Sequence, residues 1–315
     1  MEELNGGTVT FSFFRSIRTH LLLLVLISVL PAFGIVIYSG IDRLHNDTEE
    51  AKNNLQIALQ NLVYNHELTV ESTRQFLMTI AKLPDVQHQN APACNKLFRA
   101  LLKENPIYTA ILAANAEGIV FANALPFTPY TVKQRKYFQD SLRTKKFSVG
   151  EYMIGIASGR ASLPFSYPVT DSKGRITAVV TAGIDLDRYS QMFTMAKLPK
   201  GSVLGIFDHS NIFLYRSDDS GHYIGKADSH DMIEYMSAQP EKGIFTAAGS
   251  DGIKRIYAYK RFYMKNSALP YLFMRIGIPE EQALSNARKN LLITVTLLCS
   301  AFINISKNIY RPLNS

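Results

Sequence analysis

His209, His222 and His230 fall in one short stretch together with Asp208, Asp218, Asp219, Asp228 and Asp231. Imidazole and carboxylate are the ligands that zinc and related ions take, but compact sites repeat their ligands at short regular intervals, and these intervals are irregular. Asp218-Asp-Ser-Gly221 also has the composition of an ordinary turn. A metal-sensing role therefore stays an alternative, and no metal or other cofactor is expected. Cys94 and Cys299 are the two cysteines, and Cys299 lies inside a long apolar stretch, so no disulfide framework follows from them. Gly-x-Ser-x-Gly, Gly-x-x-x-x-Gly-Lys-Ser/Thr and His-Glu-x-x-His do not occur. The acid pairs Glu49-Glu50 and Glu280-Glu281 sit where helices are expected, as solvated faces. This chain is not expected to be an enzyme.

The formal net charge of +8 raises the question of nucleic acid, which the placement of the charges answers. Arg288, Lys289, Lys307 and Arg311 flank one apolar segment with no acid among them, and the rest of the excess is spread thinly. Basic residues beside apolar segments meet lipid headgroups and set orientation. No nucleic-acid partner is expected.

Two stretches could cross a membrane. Leu21 to Tyr38 is apolar or small apart from Ser28, and with its neighbours it reaches the roughly 20 residues that the hydrocarbon core requires. Arg15 and Arg18 precede it and Asp42, Asp47, Glu49 and Glu50 follow, which puts the N-terminus in the cytoplasm. Without a small-residue cleavage site after Tyr38 it reads as an uncleaved anchor rather than a signal peptide. Leu291–Ile305 is shorter and carries Thr294, Thr296, Ser300 and Asn304, a composition at the border between a span and a buried helix.

Between the two, Leu55, Leu59, Leu62, Val63, Val70, Phe76, Leu77 and Ile80 recur at three- and four-residue steps until Pro84, which predicts one long helix over 42–83. Beyond Pro84 the pattern becomes β-prone. Thr109–Asn115 and Gly118–Asn123 form a hairpin signal, as do Ser202–Phe207 and Ile212–Arg216. Three further strands are expected after each hairpin. In the first unit these are Gly155–Ala157, Ala161–Val169 and Arg175–Leu186; in the second, Gly243–Ala248, Ile253–Tyr263 and Tyr271–Ile278. The expected fold is α+β: a long N-terminal helix, two tandem five-stranded antiparallel units and two flanking transmembrane helices.

That order resembles the double Cache (PAS-like) extracytoplasmic sensors of bacterial transmembrane receptors, over about residues 20–300. Arg135-Lys-Tyr-Phe138 resembles the Arg-x-aromatic element after the first hairpin of these sensors. Gly150-Glu-Tyr152 and Gly183-Ile-Asp-Leu186 resemble their later strands. Tyr223-Ile-Gly225 and Asp251-Gly-Ile-Lys-Arg-Ile-Tyr257 look like the second unit of versions joined to histidine kinases and diguanylate cyclases. Ser306-Lys-Asn-Ile-Tyr-Arg-Pro-Leu313 is similar to the start of a cytoplasmic relay module.

The resemblance implies residues 1–18 as a cytoplasmic N-terminus, 19–41 as the first span and 42–83 as a spine. It further implies 84–194 as a membrane-distal unit with the ligand pocket, 195–287 as a proximal unit, 288–306 as the second span and 307–315 as the start of the relay. It also implies a multi-pass protein of the bacterial inner membrane with its sensing region periplasmic, a homodimer, and a downstream cytoplasmic signalling module, as in two-component and chemotaxis receptors. The amino-acid-binding subfamily carries a ligand set that maps here onto Tyr130, Arg135, Tyr137, Phe138, Tyr152 and Asp185. A guanidinium matches a carboxylate with paired N–H donors, tyrosine hydroxyls add donors, and Asp185 would face a ligand's ammonium. Phe138 stands where that subfamily has a second hydroxyl, and Asp185 falls a few residues late. The ligand implied is a small carboxylate or an amino acid, with an amine, a metal, or a scaffold without ligand as alternatives. Asp185 could equally cap the helix that starts near Leu186.

Overall fold

The computed structural model describes residues 17–194, 198–218, 220–265 and 267–310. Arg15, Asp219, Arg311-Pro-Leu313 and nearly all of the N-terminal segment expected at 1–18 lie outside the described residues. The chain divides into two compact units, residues 1–51 with 281–315, and residues 52–280.

The first unit holds the apolar helical segments. α1 (Ile17–Ile80) and α9 (Ser285–Tyr310) both contain windows long and apolar enough to cross a membrane, with mean hydropathies of 2.3 and 1.2. The span and spine expected from the sequence form one uninterrupted helix. Pro31 lies inside it and removes one backbone donor from the helix. Gly40 is buried, and a Cβ there would come within 2.5 Å of Leu291 Cδ1, so a residue without a side chain lets α1 and α9 approach.

In the second unit, α1 presents Leu55, Leu59, Leu62, Val63, Leu77 and Ile80 as a buried stripe. Two polar residues share that stripe, His66 and Thr73. Short α2 (Pro84–Gln87) and amphipathic α3 (Ala91–Glu104) lead into the first sheet. Its strands are β1 (Tyr108–Asn115), β2 (Val120–Asn123), β3 (Ser148–Val149), β4 (Met153–Ile154), β5 (Ala161–Thr170) and β6 (Ile176–Asp185). All pairings are antiparallel in the order β2-β1-β6-β5-β3, with β4 on β5. α4 (Lys136–Thr144) lies between β2 and β3, and α5 (Leu186–Thr194) follows β6 directly. β6 is central and buried over most of its length, as a strand covered on both faces must be.

The second sheet comprises β7 (Val203–Asp208), β8 (Phe213–Arg216), β9 (Lys242–Ala248), β10 (Lys254–Tyr263) and β11 (Pro270–Pro279), in the order β8-β7-β11-β10-β9. α6 (Ser220–Tyr223) and α7 (His230–Ser237) fill the gap after β8, and α8 (Glu280–Ala283) follows β11. The two modules thus share one winding, the relation expected from the repeated hairpins.

One strand expectation is corrected. Gly155–Ala157 is a turn, and the strand before it is β4, two residues long. Gly155 N–H bonds the Arg160 carbonyl, and Gly159 takes φ +63°, a conformation that suits glycine and closes a tight β4–β5 hairpin. The first sheet therefore has six strands where five were expected.

His66 joins three elements. Its Nδ1 pairs with the Tyr189 hydroxyl of α5, and its Nε2 lies 2.9 Å from the Tyr271 hydroxyl of β11. Phe262 of β10 meets the imidazole edge-on at 4.5 Å between ring centroids.

Candidate functional site

The first module positions the candidate residues through local backbone bonds. Gly118 (φ +87°) turns the β1–β2 hairpin so closely past Lys133 that a Cβ would lie 2.8 Å from that backbone. The turn lets the segment Tyr130–Val132 run along β2: Val120 N–H bonds the Tyr130 carbonyl, and Val132 N–H bonds that of Gly118. Tyr130 is thereby held beside α4, its hydroxyl accepting from Asn123 Nδ2 at 3.1 Å. Arg135 is the extended N-cap residue of α4, with no side-chain capping bond. Tyr137 and Phe138 follow on the buried face of the helix, and Ser166 Oγ donates to the Tyr137 carbonyl at 2.8 Å.

Tyr130 and Tyr137 line a small cavity of about 40 Å³ with Thr109, Met153, Ser158 and Thr181. The Thr181 hydroxyl is buried and has no partner among the described residues. Burial raises the pKa of both phenols, and the positive charge of Arg135 offsets part of that rise. Arg135 is half-buried and has no carboxylate within ion-pair distance among the described residues. Arg135 is not among the residues lining the cavity.

The other candidates stand elsewhere. Phe138 packs in the apolar core with Leu112, Val120, Val132 and Val179. Tyr152 belongs to the contact between the modules: its N–H donates to Asp208 Oδ2 at 3.0 Å, and a Cβ on Gly225 would lie 2.8 Å from its hydroxyl. Asp185 is buried, and Arg160 pairs with its Oδ2, with Arg188 at 3.8 Å. Its Oδ1 accepts the Asp187 N–H at 3.1 Å, the capping role foreseen as an alternative. Sequence reasoning missed Arg160, which sits in a polar turn and only the fold brings to Asp185. An open cleft of about 520 Å³, lined by Lys103, Arg160 and Arg188, shares Thr109, Ala157 and Ser158 with the smaller cavity. The β4–β5 turn therefore borders both.

The metal alternative fares differently. Asp208 shapes the β7–β8 turn through Ser210 and Ile212 N–H, Asp218 pairs with Arg216, and Asp228 pairs with Arg275. Among the described residues no three His, Cys, Asp or Glu side chains are placed to share an ion.

The Cache domain model matches residues 42–287. No curated protein matches the chain. Three solved structures share the fold at low identity. The sensor domain of the Vibrio cholerae histidine kinase DctB is 15% identical, with a TM-score of 0.52, covering 72% of this chain and 96% of that one. The ligand-binding domain of the Pseudomonas fluorescens chemoreceptor CtaA, solved with L-isoleucine, is 13% identical with a TM-score of 0.56, covering 78% and 97%. That of the Campylobacter jejuni chemoreceptor Tlp3, solved with L-valine, is 12% identical with a TM-score of 0.55, covering 78% and 98%.

Proposed function

The chain belongs to the Cache domain family, and on that premise we propose that it is the sensing part of a transmembrane receptor that binds a small carboxylate or amino acid in its first module. The observation that carries the reading is the cavity lined by Tyr130, Tyr137 and the unpartnered Thr181 hydroxyl, with Arg135 at the start of α4, two residues before Tyr137, lacking a carboxylate partner among the described residues. The same reading assigns 84–194 as the ligand-binding unit, 195–287 as the second unit, and 19–41 and 288–306 as spans of a bacterial inner membrane. Its sensing region is then periplasmic, it works as a homodimer, and its output is a cytoplasmic module. A ligand drives such a receptor only through unequal affinity for its two signalling states.

A cavity of about 40 Å³ is well below the roughly 300 Å³ at which small-molecule sites begin, so the β4–β5 turn must move for a ligand to enter. In the full chain in detergent, a carboxylate that fills the site at 100 times its Kd adds about 2.7 kcal/mol to stability. Circular-dichroism melts with a panel of amino acids and organic acids should find such a ligand, and Arg135→Ala should abolish the shift. An undiminished shift in Arg135→Ala means that the pocket is wrongly assigned.

Because Arg160 already neutralises Asp185, an incoming ammonium competes with a tethered guanidinium. Succinate and aspartate, which differ by one ammonium group, separate the ligand classes. Arg160→Ala should improve the response to aspartate relative to succinate, and an unchanged ratio would exclude Asp185 as an ammonium acceptor.

A further inference from the structure

Another cavity, of about 670 Å³, opens between the two modules within residues 52–280 and shares none of its lining with the cavity of Tyr130 and Tyr137. Its lining carries six basic side chains against one carboxylate. Lys136, Arg143, Lys145 and Lys146 come from α4 and the turn after it, Arg74 from α1, and Lys265 from the β10–β11 connection. Asp140, the one acid, is shared between Lys136 and Arg143, and Arg74 is held by Glu71 at 2.6 Å. Lys145, Lys146 and Lys265 have no acidic partner among the described residues.

The bland explanation covers part of this. Lysines after a helix C-terminus complement its dipole, and Lys145 and Lys146 follow α4. That explanation does not reach Lys265, which comes from the other module and meets the same groove. His209, also in the lining, keeps a buried Nδ1 without a partner among the described residues. Phe147, Val149 and Leu269 supply apolar wall between the charges.

We propose that this groove is a second ligand site, for a small organic polyanion carrying at least two negative charges as carboxylates or phosphates. Its volume lies within the range of small-molecule sites. Such an anion is held by cations from both modules, so its binding fastens the β10–β11 connection to the end of α4. Tyr271 lines the groove and contacts His66, which places an occupant one side chain from the junction of α1, α5 and β11.

The test uses the full chain in detergent, with citrate and pyrophosphate as the two probes and sodium chloride at matched ionic strength as the control. Calorimetric titration and melts should give a saturable response to at least one probe. The triple variant Lys145→Gln, Lys146→Gln, Lys265→Gln should weaken the apparent affinity by about tenfold or more, since each exposed charge contributes modestly. Arg135→Ala should leave the response intact, which separates this groove from the pocket of the first module. No response beyond the salt control, or one equally strong in the triple variant, overturns the proposal.

Discussion

Replacing His66 with Ala is expected to cost roughly 3–5 kcal/mol of stability. The imidazole is enclosed, and both of its nitrogens are engaged by tyrosine hydroxyls. A neutral imidazole has one donor and one acceptor, so one tyrosine donates to it and the other accepts from it. Removing the ring strands two buried hydroxyls, each costing about 1–3 kcal/mol, and opens a cavity beside Phe262.

The same site sets a pH dependence. Burial, reinforced by the nearby Lys260, lowers the His66 pKa from 6.5 to about 3. In the unfolded chain the ring takes up a proton near its ordinary value, whereas in the fold it stays neutral. The stability it contributes is therefore complete above pH 6.5 and erodes as the pH falls toward 3, by about 1.4 kcal/mol per unit while only the unfolded form is protonated. Urea unfolding of the parent and of His66→Gln should converge between pH 6.5 and 5 at that slope. Parallel pH profiles would show that the ring is not buried in its neutral form.

Asp228→Ala is the second large expectation, at about 3–5 kcal/mol. Arg275 of β11 places Nη1 2.5 Å from Asp228 Oδ2, and both residues are buried. The guanidinium also lies 4.4 Å from the Phe207 ring centroid and 5.4 Å from that of Tyr257. Removing the carboxylate alone leaves a largely buried positive charge among aromatic rings without its partner. The pair Asp228→Leu with Arg275→Met removes both charges and should recover most of the loss, because paired buried ions contribute little beyond apolar packing of the same volume. A double-mutant cycle in urea measures this, and a double variant no better than Asp228→Ala would contradict it. Added salt should change the parent's stability little through this pair, since mobile ions do not screen it.

The parts of the fold legible in the sequence are those where one period dominates. The stripe from Leu55 to Ile80 and the long runs Ala161–Val169 and Tyr271–Ile278 announce themselves because burial repeats along one face or throughout. β3 and β4 carry no such period, as each is two residues long and pairs only with β5. His66 went unnoticed because a polar residue in an apolar stripe reads as an interruption until its partners, more than a hundred positions away, are known. The site divides along the same line. Tyr130 and Tyr137 are close in sequence, and the pairing of Tyr130 with β2 just before α4 keeps them on one cavity. Tyr152 and Asp185 depend on distant partners, Asp208 and Arg160, and no local spacing encodes those contacts.

Both sheets let the chain leave from the middle. β6 and β11 are each the central strand of their order, and each passes without a loop into a helix, at Leu186 and at Glu280. A strand gripped by neighbours on either side cannot slide alone, so a shift at its far end arrives at the following helix undiluted by slack. Each module therefore hands its central strand straight to the helix that follows it, α5 in the first and α8 in the second.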